Sequence, residues 1–273
     1  TGIRQLCRRR LSDISSPNEY VRNSRLENFI DTMNRSDIAL SPDMANQQHY
    51  ELPHTFFEMI LGSHRKYSCG YWQDDINDLD CSEQRALQLT CEHADIRDGD
   101  QILELGCGWG SLTLWLAQQY PASYITAISN SSSQRSYISN RAAELDLNNV
   151  EIITEDINHF FPSSRFDRIV SVEMFEHLRN YGEMFQRISG WLTNEGRFFM
   201  HIFCHRDEPY LFVDHGPSDW MTRHFFYGGM MPSIGLPRNF QDALLLDDEW
   251  HWDGTHYERT ANTWLRNLDE KKL

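Results

Sequence analysis

The sequence predicts an α/β fold in which helices cover both faces of a mostly parallel sheet. Three observations support this prediction. Hydrophobic residues recur at helical spacing up to about residue 95, short apolar strands alternate with helices from about residue 100, and a glycine-rich loop follows the first strand. The 273 residues are 40% hydrophobic and 24% charged, a composition typical of a globular chain with one large domain or one elaborated domain.

We divide the chain into two predicted domains. Residues 1–95 form an N-terminal helical cap, in which Leu26, Phe29, Ile30 and Met33 share one helix face. Residues 96–273 form the core, and an aromatic lid insert at about 205–243 interrupts its strand–helix alternation.

The elements of the core follow in order along the chain. Strands are predicted at 101–105, 124–129, 150–154, 166–172 and 197–203, with a sixth at 244–252. Helices are predicted at 111–119, 132–146, 181–192 and from about 260 to 268.

Charge and cysteine content exclude several classes of protein. The formal net charge is −15, which disfavours nucleic-acid backbones and anionic membrane surfaces as partners and suits a neutral or cationic small substrate. No apolar run approaches the roughly 20 residues of a membrane-spanning helix. The six cysteines contain no C-x-x-C pair, so neither a four-cysteine zinc site nor a disulfide framework is expected, and a cytoplasmic location is predicted.

The glycine-rich loop after the first strand predicts a nucleotide-like cofactor. Its glycines run G-x-G-x-G behind Glu104, with Gly106 and Gly108 as the first two, whereas a dinucleotide fingerprint needs G-x-G-x-x-G. A carboxylate beside the loop suits a cofactor with positive charge. S-adenosylmethionine carries a sulfonium and an ammonium group, so we predict that it binds here.

The end of the second strand lacks the usual carboxylate for ribose hydroxyl groups. Asn130 and Gln134 would have to bind these hydroxyls through their amide groups. Ordinary capping of the next helix by Asn or Ser explains the same residues equally well, and the spacing does not choose between the two interpretations.

An acidic and histidine cluster follows the fourth strand, where ligands bind in open α/β sheets. If the chain turns helical there, Glu173, Glu176 and His177 lie on one face, and a carboxylate beside an imidazole favours proton acceptance near pH 7. A solvated helix start is the alternative. A metal site is a weaker alternative because the two-histidine spacing of helical zinc motifs is absent.

The next strand ends in a second group of candidate residues. Strand alternation places His201 and Phe203 on one side and Cys204 on the other, which favours a pocket-lining role over zinc binding. The aromatic residues of the insert, Trp220 among them, are interpreted as core or lid, and some could surround an amine because aromatic faces attract cations.

Several motifs in order resemble one family. They are Tyr67 to Trp72, Glu104 to Gly110, Ser129 to Ser131 with Gln134, Val172 to Leu178, His201 to Arg206, Asp219 to Arg223 and Phe225 to Ser233. The chain resembles the cyclopropane-fatty-acid-synthase-like methyltransferase superfamily, and within it the plant benzylisoquinoline-alkaloid (coclaurine-type) N-methyltransferases. This resemblance implies a class I methyltransferase fold with a Rossmann-like sheet.

The resemblance also implies roles for the cofactor residues. Tyr67 and Ser68 would contact the methionine part of S-adenosylmethionine, and Gly106 and Gly108 would pass beneath it. Asn130 and Gln134 would bind the ribose, and Asp156 with Ile157 the adenine.

The same resemblance implies a substrate site. Glu173, Glu176 and His177 match the catalytic E-x-x-E-H pattern of the N-methyltransferases, and Tyr257 matches a tyrosine near the active site. In cyclopropane synthases a bicarbonate is held by positions that match Cys69, Glu176, His201 and Tyr257.

We therefore predict methylation of a small amine, with transfer to an unsaturated lipid as the alternative. A binding subunit with this fold is disfavoured by the intact motifs, and a nucleic-acid methyltransferase is least favoured because no basic stripe is present. The family sheet has seven strands and only six are placed, so we expect a chain trimmed at both ends that lacks the last strand. A homodimer is left open.

Overall fold

The computed structural model describes residues 2–40, 52–214, 216 and 219–271. Its α-helices are α1 (Gly2–Ile14), α2 (Glu19–Asn34), α3 (His54–Ile60), α4 (Leu79–His93), α5 (Ser111–Gln119), α6 (Ser132–Glu144), α7 (Tyr181–Trp191), α8 (Trp220–His224) and α9 (Gly254–Glu270). Its strands are β1 (Gln101–Leu105), β2 (Tyr124–Ser129), β3 (Val150–Thr154), β4 (Phe166–Val172), β5 (Leu192–His201), β6 (Tyr210–Leu211) and β7 (Met230–Met231). Short 3₁₀ turns span Phe175–His177 and Leu236–Asn239. No described helix is both long enough and apolar enough to cross a membrane.

A five-stranded parallel sheet forms the centre of the fold, in the order β3-β2-β1-β4-β5. The strand order reverses between β1 and β4, where Leu105 pairs with Ile128 on one side and with Ser171 on the other. Ligands of open α/β sheets bind at the carboxyl ends of the strands at such a reversal. The glycine-rich loop after β1 and Glu173 after β4 both begin at this edge.

The chain divides into two compact units. The sheet unit comprises Tyr50–Glu173, Gly190–His201 and Asp247–Leu273, and the insert unit comprises Thr1–His49, Met174–Ser189 and Ile202–Leu246. These units divide the chain differently from the predicted boundary near residue 95, because α3 and α4 belong with the sheet.

Buried aliphatic side chains hold the sheet unit together. Ile102, Ile125 and Leu116 are fully buried, and Leu87 of α4 and Val170 of β4 belong to the same cluster. Each such side chain stabilises the fold by roughly 1.5–3 kcal/mol relative to an exposed position. β1 and β2 are buried at every position after the first, as expected for central strands of a parallel sheet with both faces covered.

The insert unit is tied together by polar contacts as well as by aromatic packing. Tyr181 is fully buried, and its hydroxyl donates to the Phe175 carbonyl at 3.0 Å. The Asn180 amide donates to the Ser36 carbonyl at 2.9 Å, which connects α7 to the end of α2. β6 and β7 form an antiparallel pair.

The first four predicted strands and the first core helix are confirmed, and three later predictions need correction. β5 spans Leu192–His201 rather than 197–203, so Phe203 lies beyond the strand and the alternation argument for its orientation fails. No strand forms at 244–252: this segment contains three consecutive acidic residues, Leu245 is 83% exposed, and Trp250 stacks on the His93 ring at 4.0 Å instead of joining a sheet. α9 begins earlier than predicted because the Asp253 carboxylate caps it by accepting from the Thr255 amide.

Candidate functional site

The glycine-rich loop after β1 requires left-handed backbone at three positions. Gly106, Gly108 and Gly110 have φ values of 80°, 52° and 80°, which glycine adopts at little cost. A Cβ atom on Gly110 would lie 2.7 Å from a side-chain carbon of Ile138, whereas a Cβ atom on Gly108 would meet nothing within 4 Å. Gly110 therefore permits close packing onto α6, and Gly108 borders open space.

Glu104 lies on β1 just before this loop and is 4% exposed. Its Oε2 accepts a hydrogen bond from the Thr113 hydroxyl of α5 at 2.5 Å. Burial raises the pKa of Glu104 to about 7, so the residue is not a permanent negative charge at neutral pH. The sequence predicts a negative charge here, suited to a cationic cofactor, and the contact with Thr113 shows that the carboxyl group also joins β1 to α5.

Buried polar groups gather at the ends of β2 and β3. Gln134 is 1% exposed, its Oε1 accepts from the Ser129 hydroxyl at 2.6 Å, and its Nε2 has no partner among the described residues. The Thr154 hydroxyl is also buried without a partner in the described part of the chain. Helix α6 is capped by Ser131, whose hydroxyl accepts from the backbone N–H of Gln134. The side-chain amide of Gln134 is therefore not the cap.

These groups fit the cofactor predicted from the sequence. A buried amide without a partner costs roughly 1–3 kcal/mol, which a ligand oxygen would recover. Asp156 and Ile157 follow β3, where Asp156 accepts from the Asn158 amide at 2.9 Å and Ile157 is 6% exposed. Asn130 lies between β2 and the Ser131 cap. The edge therefore offers open space beside Gly108 and buried hydrogen-bonding groups on the neighbouring strands.

Glu173 adopts a strained conformation directly after β4. Its φ of 50° is left-handed, which costs a non-glycine residue about 1–3 kcal/mol. Three hydrogen bonds hold it: its amide donates to the His201 carbonyl at 2.8 Å, its Oε1 accepts from the Cys69 amide at 2.8 Å, and its Oε2 accepts from the Tyr257 hydroxyl at 2.9 Å. Both carboxylate oxygens are thereby held by segments that lie far from Glu173 in sequence.

Lys66 is a functional candidate that sequence reasoning missed. It is 3% exposed, and its Nζ donates to the Ser68 hydroxyl at 2.6 Å and to the Cys69 carbonyl at 2.7 Å. Burial lowers the pKa of Lys66, and the charge of Glu173 opposes that shift. Burial conversely raises the pKa of Glu173, and Lys66 is the largest influence that lowers it. The sequence around the Tyr67–Trp72 motif does not indicate that the lysine before it is buried.

Three residues of helix α9 contact Glu173 or the segment between Tyr67 and Trp72. Tyr257, Thr260 and Trp264 recur at the spacing of one helix face. Thr260 is fully buried and bonds to the Gly70 amide and the Trp72 indole, and the Trp264 ring lies 5.5 Å from the ring of Tyr67. Sequence reasoning selected only Tyr257, although this stripe could have identified the other two.

Two more predicted pocket residues lie in the sheet unit, where Cys69 is buried and His201 is half-buried. Burial lowers the pKa of His201 to about 3, so its imidazole is neutral at physiological pH, and its ring packs against Trp252 at 4.6 Å. Burial raises the pKa of the Cys69 thiol to about 12, so Cys69 is not a thiolate nucleophile.

The other predicted residues belong to the insert unit. Glu176 is fully buried and its Oε1 accepts from the Phe203 amide at 2.7 Å. The His177 ring stacks on Phe226 at 4.9 Å with an interplanar angle of 8°. Trp220 is 56% exposed. The predicted helical face shared by Glu173, Glu176 and His177 does not form, because the 3₁₀ turn begins at Phe175 and Glu173 is left-handed.

Comparisons with known proteins agree on one family. A family model described as mycolic acid cyclopropane synthetase matches residues 40–273. (S)-coclaurine N-methyltransferase from Thalictrum flavum subsp. glaucum is 36% identical over 248 residues, which cover 90% of this chain and 69% of that protein. Pavine N-methyltransferase from the same organism is 35% identical over 249 residues, covering 90% and 70%.

A solved structure shows the same fold. The crystal structure of a coclaurine N-methyltransferase bound to N-methylheliamine and SAH superposes with a TM-score of 0.94 at 35% identity, covering 98% of this chain and 78% of that one. The parallel sheet is therefore that of a methyltransferase that binds S-adenosylmethionine or its product.

Proposed function

The chain belongs to the mycolic acid cyclopropane synthetase family of S-adenosylmethionine-dependent enzymes, and from this premise we propose that it methylates the nitrogen of a small amine. The similarity to alkaloid N-methyltransferases supports an amine substrate. The observation that carries the proposal is the Glu173 carboxylate, which two hydrogen-bond donors orient at the carboxyl end of β4.

The chain's residues provide the cofactor site as well as the base. We assign the buried Gln134 amide and Asn130 to the ribose, Asp156 and Ile157 to the adenine, and the segment that contains Tyr67 and Ser68 to the methionine part. When bound, S-adenosylmethionine supplies a methyl group on a positively charged sulfur. The remaining work of the protein is to present a nitrogen lone pair to that group.

An alkyl amine is mostly protonated at neutral pH because its pKa lies near about 10. We assign binding of the ammonium form to Glu173 and Glu176, and acceptance of its proton to His177. Removal of the proton exposes the lone pair, and a positioned base contributes about 10²–10⁴-fold to the rate. His201 is neutral and half-buried, which suits a wall of the pocket rather than the base.

The test compares variants with matched controls in methyl transfer to an accepted amine. Glu173→Gln and His177→Ala should each lower kcat by about 10²-fold or more. Glu195→Gln and His159→Ala change exposed residues of the same types and should retain full activity. Full activity of both site variants would refute these catalytic roles.

Transfer to an unsaturated lipid is the second candidate function. It is favoured by the family model and by the arrangement in the sheet unit, where Cys69 and Tyr257 both contact Glu173 and His201 lies on the adjoining strand. The net charge of −15 disfavours docking on an anionic bilayer. Phospholipid vesicles with and without bicarbonate separate the two candidates, because only lipid transfer requires both. The cytoplasmic location and a homodimer stay predictions.

A further inference from the structure

We propose that Thr260 is a positioning residue that fixes the orientation of Glu173 through the backbone of Gly70 and Cys69. The inference rests on the proposed function, because it names a residue that maintains the catalytic carboxylate. Thr260 lies on α9, one helical turn after Tyr257, and its side chain is fully buried.

The Thr260 hydroxyl uses its whole hydrogen-bonding capacity. Its Oγ1 donates to the His256 carbonyl at 2.8 Å and accepts from the Gly70 amide at 3.1 Å and from the Trp72 indole at 2.9 Å. A hydroxyl has one donor and two acceptor lone pairs, so all three are occupied. Such a fully satisfied buried group holds its partners in one arrangement.

The contacts continue from Gly70 to the carboxylate of Glu173. Gly70 lies against α4, where an added Cβ atom would be 2.6 Å from the Ser82 hydroxyl, so its backbone is confined on one side by Ser82 and bonded to Thr260. The preceding residue, Cys69, donates its amide to Glu173 Oε1 at 2.8 Å. Displacement of Gly70 therefore displaces the donor to Glu173.

Helix α9 thus controls both oxygens of the carboxylate. Tyr257 bonds directly to Oε2, and Thr260 acts on Oε1 through the 69–70 backbone. The titratable groups that face Glu173 in this network are Lys66, Tyr67, the Cys69 thiol and Tyr257. The Lys66 charge and the hydrogen bonds from the Cys69 amide and the Tyr257 hydroxyl lower the pKa of Glu173. Weakening of that amide bond should raise the pKa of Glu173.

The experiment replaces Thr260 with valine and with serine. Thr260→Val keeps the shape but leaves the Gly70 amide and the Trp72 indole without acceptors, whereas Thr260→Ser keeps the hydroxyl. We expect Thr260→Val to lower kcat about tenfold or more per folded molecule with little change in KM for S-adenosylmethionine, and Thr260→Ser to recover most of the activity. Thr263→Val removes an exposed hydroxyl from the same helix and should behave as wild type.

A second readout does not depend on turnover. Carbon-13 NMR titration of glutamate carboxyl groups, with Glu173→Gln to assign the signal, should show a higher Glu173 pKa in Thr260→Val than in wild type or Thr263→Val. If Thr260→Val folds poorly, the double variant with Trp72→Phe removes one of the two orphaned donors while the displaced titration persists.

The outcomes separate this inference from the proposed function. Wild-type kcat and an unchanged Glu173 titration in a Thr260→Val protein with a lowered melting temperature would show a purely structural role and overturn the inference. If wild-type protein methylates no amine, the proposed function fails, and the titration alone still decides the role of Thr260.

Discussion

Removal of the Tyr257 hydroxyl tests the geometry of Glu173 most simply. Tyr257→Phe deletes the 2.9 Å hydrogen bond to Oε2 and leaves the aromatic ring in place. That bond lowers the pKa of Glu173, against the upward effect of burial, so its loss should raise the pKa. A hydrogen bond to a charged group is worth about 1.5–3 kcal/mol, and one pKa unit corresponds to about 1.4 kcal/mol. Because Glu173 is partly exposed and water can replace the donor, we expect the lower end, a rise of about one unit.

The assay is kcat/KM for methyl transfer as a function of pH. If the ionised carboxylate is required, activity is present above the pKa of Glu173 and is lost as the pH falls through it. The acid limb of Tyr257→Phe should therefore move upward by about one pH unit, with little loss at high pH. Tyr124→Phe, which removes an exposed hydroxyl on β2, is the control. A wild-type acid limb in Tyr257→Phe would refute a role for this hydrogen bond.

Three further predictions follow from the sheet unit. Gly110→Ala should lower the free energy of unfolding by about 2–4 kcal/mol, because Gly110 combines a left-handed backbone with a close contact on α6. Gly108→Ala should lower it by only about 1–2 kcal/mol, but should weaken the binding of S-adenosylmethionine measured by calorimetry. Equal unfolding curves for the two variants would contradict this. Lys66→Met should move the acid limb of the pH profile upward, since Lys66 lowers the pKa of Glu173, and an unmoved limb would show that the lysine is only structural. Without cofactor, burial raises the pKa of Glu104 from 4.5 to about 7, so the folded state binds the extra proton and stability should fall as pH rises across that range. Glu104→Gln should flatten this fall in chemical denaturation, and an unchanged slope would show that Glu104 does not titrate there.

The sheet could be predicted from the sequence because its strands are short apolar runs separated by clear helix signals. The bounds of β1 and β2 were predicted residue by residue. The sequence of 244–252 resembles a strand because apolar residues flank its acidic run, and only the structure shows Trp250 packing on His93. A local sequence pattern does not show which distant side chain an aromatic ring packs against.

The candidate site was predictable in its motifs and not in its connections. Glu173 can be recognised after β4, but its left-handed backbone cannot be read from the sequence. Its hydrogen bonds to the Cys69 amide and to Tyr257 join residues that are 104 and 84 positions apart. Lys66 was missed because an isolated lysine is normally solvated, and its burial follows only from the folded arrangement of the segment around it.

One measurement tests the central claim most directly. The purified chain is incubated with S-adenosylmethionine labelled in its methyl group and with a panel of secondary and tertiary amines, in parallel with unsaturated phospholipid vesicles and bicarbonate, and the products are analysed by mass spectrometry. We predict that label appears on the nitrogen of at least one amine, that this labelling is lost in Glu173→Gln, and that the lipids stay unlabelled. Label in the lipid acyl chains and none on any amine would contradict the proposed function.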